Sequence, residues 1–263
     1  MMELTTGDYL IAISGGIVAG GMNTLAGYGS VITLTILMDV LGLPATMANA
    51  SNRVNVLSGV VASGIGFHKN GRLDLSRGRP IILLTFIGAM LGIWLAITIS
   101  NEAFKSVFKY LVIMLLVVLL AKPKRWLRDS SELYDMPLWL MILIFVPLGF
   151  YGGFIQMGMG LFFVAATVLL GKYSIIESNA VKVAVVGLYT VVSLVIFHVN
   201  GLVDWKAGAL VGVGAAIGGY FTADIASRYQ NANLWAYRLL VVIIVAIVLR
   251  SFGVVDYLYQ NIY

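Results

Sequence analysis

The chain has 263 residues, of which 60% are hydrophobic and only 11% charged, against about 25% charged in an ordinary soluble domain. It has no cysteine, which excludes a disulfide framework, a thiolate metal site and a cysteine nucleophile. The net charge of +5 is gathered in short loops between apolar runs, which is the signature of membrane topology and not of nucleic-acid binding.

The opening MMELTTGDYL has no Lys or Arg, so the first apolar stretch is expected to stay in the mature protein. That stretch covers 9–41, and helices are predicted over 45–67, 80–100 and 104–121. A polar, basic linker follows, KPKRWLRDSSELYDM at 122–136. The order then repeats over 137–170, 174–198, 206–228 and 234–252. Most runs approach the roughly 20 apolar residues that a bilayer requires. YLVIMLLVVLL (110–120) and LLVVIIVAIVL (239–249) are apolar on every side, as lipid-facing helices are, and the alternation of a membrane barrel is missing. The reading is an all-α polytopic protein of the cytoplasmic membrane. It has a first transmembrane repeat at 1–121, a basic cytoplasmic linker at 122–136 and a second repeat at 137–263, within one integral membrane domain.

The repeat is visible in the residues. FHKNGRLD at 67–74 recurs as FHVNGLVD at 197–204, and the same offset pairs Asn49-Ala50 with Asn179-Ala180 and Gly88 with Gly218. A slightly larger offset sets Gly16, Ala19, Gly20, Asn23 and Gly27 on Gly149, Gly152, Gly153, Gln156 and Gly160. Duplicated halves in an apolar chain point to a transporter with its site between them. Lys69, Arg72, Arg77 and Arg79 follow the second element, and Lys122, Lys124, Arg125 and Arg128 fill the linker, so both segments are expected on the cytoplasmic side. The second-half loop HVNGLVDWK is weakly charged, which suits the outer face, whereas Arg228 and Arg238 suit the inner one. The halves therefore read as inverted-topology repeats with both termini outside; a parallel duplication is the alternative.

Each leading stretch is too long for one span and short for two. Each carries clustered glycines and a polar residue: GGIVAGGMNTLAGYGS (15–30) and GFYGGFIQMGMG (149–160), the latter just after Pro147. Glycine weakens a helix by about 1 kcal/mol relative to alanine, and broken backbone at membrane depth must be buried in protein or line a cavity. Each stretch is expected to be a broken, re-entrant helix pair, followed by three transmembrane helices. The other reading is a long tilted helix whose glycines pack against neighbours.

Polar residues concentrate beside these breaks. Asn23 and Thr24 precede Gly27, Tyr28, Gly29 and Ser30, while Asn49, Ser51, Asn52 and Arg53 open the next helix. Their second-half partners are Gln156, Gly158, Gly160, Asn179 and Lys182. A break exposes backbone N–H groups at a half-helix N-terminus, where the dipole attracts an anion. Asn49 and Arg53 are four apart and Asn179 and Lys182 three apart, so each pair shares a helix face. Amide donors with two cations suit a small oxyanion and not a bare metal ion, which would take carboxylates or carbonyls. The alternatives are interhelical hydrogen bonding for Asn23 and Gln156, and snorkelling to headgroups for Arg53 and Lys182.

His68 and His198 end equivalent helices, where a capping or interfacial role is expected over proton relay. Asp224 and Arg228 are spaced for a surface ion pair, and Glu177 for support of a helix N-terminus. Asp39 lies near a half-helix end and is a candidate proton acceptor. No cofactor, metal site or catalytic group is expected.

At these residues the chain resembles the sulfite exporter TauE/SafE family of membrane proteins. The resemblance is carried by GGIVAGGMNTLAGYGSVITL (15–34), LGLPATMANASNRVNVLSG (41–59) and NGRLD (70–74), with a weaker copy through 149–160, ESNAVK (177–182) and VNGLVD (199–204). It implies a secondary transporter of small sulfur-containing anions such as sulfite, thiosulfate or organosulfonates, commonly an exporter. Asn23, Thr24, Gly27, Asn49 and Asn52 match its motif positions. Arg53 is added on physical grounds, and Tyr28 and Ser30 interrupt the longer glycine run of the family.

The expected partners are thus a small sulfur-containing anion and the lipid bilayer, with no nucleic acid. An interior-negative potential opposes anion entry by about 2.3 kcal/mol per charge per 100 mV, so uptake would call for a coupled proton or cation. A channel-like facilitator would be told from a carrier by its turnover rate. An intramembrane enzyme or sensor subunit would need a nucleophile–base pair or a large soluble domain, and neither is visible.

Overall fold

The computed structural model describes residues 5–26, 29–69, 75, 77–120, 136–173, 175–228, 242 and 245–249. Among them every element is helical: α1 (Thr6–Ala26), α2 (Gly29–Thr35), a π-helical turn Ile36–Val40, α3 (Ala45–Lys69), α4 (Arg79–Thr98), α5 (Asn101–Leu120), α6 (Leu138–Phe154), α7 (Met159–Leu169), α8 (Ile175–Val199) and α9 (Trp205–Arg228). Residues 245–249 add a further helical turn. The predicted linker before Met136, the loop 70–74, Gly27, Tyr28 and most of 234–252 lie outside the described residues. The side chains of Thr24, Asp224 and Arg228 do so as well.

Local chemistry sets the helix ends. Thr5 and Asp8 form a reciprocal cap at α1, with Thr5 N donating to Asp8 Oδ2 at 2.8 Å and Asp8 N to Thr5 Oγ1 at 3.3 Å. Asp204 caps α9 by accepting from Ala207 N at 2.9 Å. Pro80 stands in the first turn of α4, where its missing N–H costs nothing. Arg79–Thr98 and Glu177–Val199 are long and apolar enough to cross a membrane. Leu83, Ile87, Leu91 and Trp94 form an exposed apolar stripe along α4, suited to lipid.

Both leading stretches are helix pairs, and in both the leading glycines (Gly15, Gly16, Gly20 and Gly21; Gly149, Gly152 and Gly153) stay helical. α1 runs unbroken through Gly15, Gly16, Gly20 and Gly21, and the chain then doubles back so that Gly29 packs on Ala19 and Asn23. α6 runs through Pro147, Gly149, Gly152 and Gly153 and stops at Phe154. The return helix α7 has 11 residues, about 16 Å at 1.5 Å per residue, or half of a ~30 Å hydrocarbon core. The two readings of the glycines are therefore reconciled: the leading glycines of each cluster stay helical, and the second stretch breaks after them, between Phe154 and Met159.

The clustered glycines let helix backbones touch. α1 packs on α9 and α6 on α4. A Cβ on Gly20 would overlap the carbonyl of Ala215, and one on Gly218 that of Ile17. In the other pair a Cβ on Gly153 would overlap the carbonyl of Ala89, and one on Gly92 that of Phe150. Gly-x-x-x-Gly faces Gly-x-x-x-Gly in both, the small-residue packing that lets membrane helices approach closely. These contacts match Gly88 with Gly214 and Gly92 with Gly218, which corrects the sequence pairing of Gly88 with Gly218 by one helical turn. The connection 70–78 is longer than 200–204 by that turn, so the register set by the Phe-His-x-Asn-Gly segments does not carry past it. In the middle, α3 packs on α8 and α9, and α8 on α4.

Gly153→Ala is expected to destabilise the fold by about 1–3 kcal/mol, because the facing backbone cannot yield cheaply. Gly59→Ala, where no atom lies within 4 Å of the new methyl, is expected to be neutral or to stabilise α3 by up to about 1 kcal/mol. Thermal unfolding of the purified variants in detergent measures both.

Candidate functional site at the α6–α7 break

A helix leaves its last carbonyls without intrahelical partners, and inside a membrane only protein can supply them. α6 ends this way because the next residues leave helical backbone: Gln156 has φ 60° and Gly158 φ 73°. Glycine takes that left-handed conformation without a Cβ penalty, whereas for glutamine it is uncommon and needs support.

The support comes from α3. Asn49, Asn52 and Arg53 share one face of its first turns and are all buried. Asn49 Nδ2 donates to the Phe154 carbonyl at 2.7 Å. Arg53 Nη1 donates to Gly152 O at 2.9 Å, and Nη2 to Gly153 O at 2.6 Å. Nη1 also donates to Gln156 Oε1, which holds the strained glutamine in place. Two α3 side chains thus satisfy three successive carbonyls at the end of α6. The planar guanidinium fork suits adjacent oxygens in a way a point-like ammonium does not.

Arg53 is fully buried, with the Phe197 ring centroid 5.8 Å from its guanidinium carbon. Its hydrogen-bond acceptors are neutral carbonyl oxygens, so its charge is solvated by dipoles and not by a carboxylate. The snorkelling alternative does not hold for Arg53, whose guanidinium is buried in protein and engaged by these oxygens. Among the described residues, three polar atoms of the group have no hydrogen-bond partner: Arg53 Nε, Asn52 Nδ2 and Asn49 Oδ1. Asn52 Oδ1 already accepts from Thr33 Oγ1 at 2.6 Å and Asn55 Nδ2 at 3.2 Å, so its amide donor is what remains.

On the far side of the break, Lys182 Nζ donates to Asn179 Oδ1 at 2.6 Å. A Cβ on Gly160 would lie 3.3 Å from Lys182 Cδ and 3.9 Å from its Nζ. The ammonium therefore runs beside the first turn of α7, where a cation opposes the helix dipole and an anion would relieve it. Gly158 is the N-cap of α7.

The structure brings Asn49, Arg53 and Gln156 together at the end of α6, with Asn52 on the same α3 face bonded to Thr33 of α2, and separately Gly158, Gly160, Asn179 and Lys182. In the first half, Gly29 and Ser30 are buried at the start of α2, whereas Asn23 is exposed at the end of α1. Thr33 is a contact that sequence reading missed; its only signal was its place one turn after Ser30. Tyr189 was missed too. It is fully buried, its hydroxyl lies 3.8 Å from Met159 Sδ, and it would be 3.0 Å from a Cβ on Gly152, so it lines both sides of the break. His198 ends α8 exposed, accepting from Trp205 Nε1 at 3.2 Å. Asp39 is exposed on the π-helical turn and Glu177 in the first turn of α8. Among the described residues no three His, Asp or Glu side chains gather to hold a metal.

The family model described as sulfite exporter TauE/SafE matches residues 12–251. A "Probable membrane transporter protein ORF9" of Sinorhizobium sp is 27% identical over 236 residues, covering 89% of this chain and 88% of the relative. A "Probable membrane transporter protein" of Haemophilus influenzae is 27% identical over 204 residues, covering 77% and 79%. "Probable membrane transporter protein YfcA" of Escherichia coli is 27% identical over 201 residues, covering 76% and 74%. No solved structure matches the chain.

Asn49→Ala strips the donor from the buried Phe154 carbonyl. It is expected to cost about 1–3 kcal/mol of stability, read as a lowered melting temperature, whereas Asn200→Ala on the exposed end of α8 should cost far less.

Proposed function

The chain belongs to the sulfite exporter TauE/SafE family and is a membrane transporter, and from this premise we propose that it moves small sulfur-containing anions outward by alternating access. Sulfite, thiosulfate and organosulfonates are the substrate class. The observation that carries the reading is the Arg53 group: a buried positive charge beside a helix break, held by neutral oxygens and, among the described residues, with donor atoms still unpaired. A positive charge solvated only by dipoles favours an anion nearby far more in a low-dielectric interior than in water.

The chemistry fits an oxyanion. Its oxygens only accept, and the unpaired atoms of the group among the described residues include two donors, Arg53 Nε–H and Asn52 Nδ2–H, beside one acceptor, Asn49 Oδ1, with Lys182 alongside α7. Charge-assisted hydrogen bonds of this kind are roughly twice as strong as neutral ones. The exchanged packing of α1 on α9 and α6 on α4 fits two symmetry-related halves, read as inverted from their loop charges, that rock about the central α3 and α8. Export is the favoured direction because an interior-negative potential helps an anion leave, by about 2.3 kcal/mol per charge per 100 mV. The chain is accordingly placed in the cytoplasmic membrane as a multi-pass protein.

Purified protein is expected to melt at a higher temperature with sulfite, thiosulfate or a sulfonate than with chloride at equal ionic strength, since a ligand that binds the native state stabilises it. Equal melting in all of them would sink the substrate class. In proteoliposomes, Asn52→Ala should lower kcat/KM for the anion that binds by about tenfold to a hundredfold, the worth of one hydrogen bond to a charged group. Unchanged flux would remove Asn52 from the site.

A further inference from the structure

The carbonyl end of a broken membrane helix is where transporters built from discontinuous helices hold their coupling cation; the unwound carbonyls and half-helix C-termini supply its ligands. Here that end is α6, and its carbonyls face α3. Gly152 O and Gly153 O each accept from the Arg53 guanidinium, and Phe154 O accepts from Asn49. Gln156 Oε1, a further neutral oxygen at the break, also accepts from Arg53. These are the oxygens an alkali cation would need, and a guanidinium on a short tether already holds three of them.

We propose that Arg53 is a built-in counter-ion: it fills permanently the place of a coupling cation at the α6 terminus, so that this break binds no Na+, K+ or Li+. The guanidinium is suited to the role because it stays charged under all physiological conditions and its fork spans consecutive carbonyls. Among the described residues the other half has no equivalent. Val183 stands where the repeat places the counterpart of Arg53, and α1, the counterpart of α6, runs on to Ala26 past the position matching Phe154. For transport, and resting on the reading of the chain as an anion carrier, the consequence is that the positive charge stays with the protein while the anion leaves. Each turnover then moves net negative charge, and the membrane potential alone drives it outward.

The test uses the purified full-length protein. Melting temperatures in sodium, potassium and lithium chloride should coincide with that in choline chloride at equal ionic strength. A saturable rise specific to one alkali cation would overturn the proposal, because a cation bound to the native state must stabilise it. In Arg53→Ala, millimolar guanidinium should raise the melting temperature and tetramethylguanidinium, which cannot form the fork, should not. No response to guanidinium, or the same response in the wild type, also overturns it; Arg53→Ser serves where the alanine variant does not fold. Sulfite flux in proteoliposomes should be unchanged when sodium is replaced by choline, and guanidinium should restore flux to Arg53→Ala. If the wild type moves no sulfite at all, the transport reading is at fault, and the melting experiments still decide the role of Arg53.

Discussion

A helix that stops inside a hydrophobic interior must find partners for its last carbonyls, and the fold of this chain is arranged around meeting that requirement at one place. α6 ends at Phe154, and three of its carbonyls are answered by Asn49 and Arg53 of α3. The contact joins the two halves of the sequence, about a hundred residues apart, so it is paid for in loop-closure entropy that only a well-packed bundle can offset. It also explains why a charge can be buried without a carboxylate: dipoles from one helix end converge on it. The proposed recognition of an anion rests on the positive charge that this arrangement keeps buried.

The glycines perform a second task that the break alone would not require. At four positions on α1 and α6, and four on α4 and α9, backbone approaches backbone too closely for a side chain to stand between. Helices in lipid gain little from burying apolar surface, so close backbone packing and its dispersion contacts take over. Because each leading helix packs on a helix of the opposite half, neither half can form its tight pair alone. The breaks are thereby held at fixed places relative to α3 and α8.

Much of this was legible in the residues. Helix boundaries from α3 onward followed from apolar runs and from Pro and Gly punctuation, and Asn49, Asn52 and Arg53 stood out as polar residues at one helical face in apolar surroundings. Their partners were not legible, because a backbone carbonyl has no letter of its own: nothing in Gly152-Gly153-Phe154 announces an acceptor. The glycine clusters were ambiguous for a different reason. Whether a glycine breaks a helix or admits a neighbour depends on what lies opposite, and Ala89 and Ala215 are far away in sequence. The one-turn error in pairing Gly88 arose where the connection 70–78 outgrows 200–204, a length difference that a matched Phe-His-x-Asn-Gly segment conceals.

The unequal furnishing of the two breaks, arginine facing one and valine expected at the other, has a thermodynamic corollary. Perfectly mirrored halves would give inward-open and outward-open forms of equal free energy, with each populated half the time when no solute is present. A guanidinium stapling one hairpin, with no counterpart among the described residues at the other, lifts that degeneracy. In a rocking cycle of the kind proposed here, the empty carrier then idles in one orientation, and its sidedness is written into the polypeptide before any gradient acts on it.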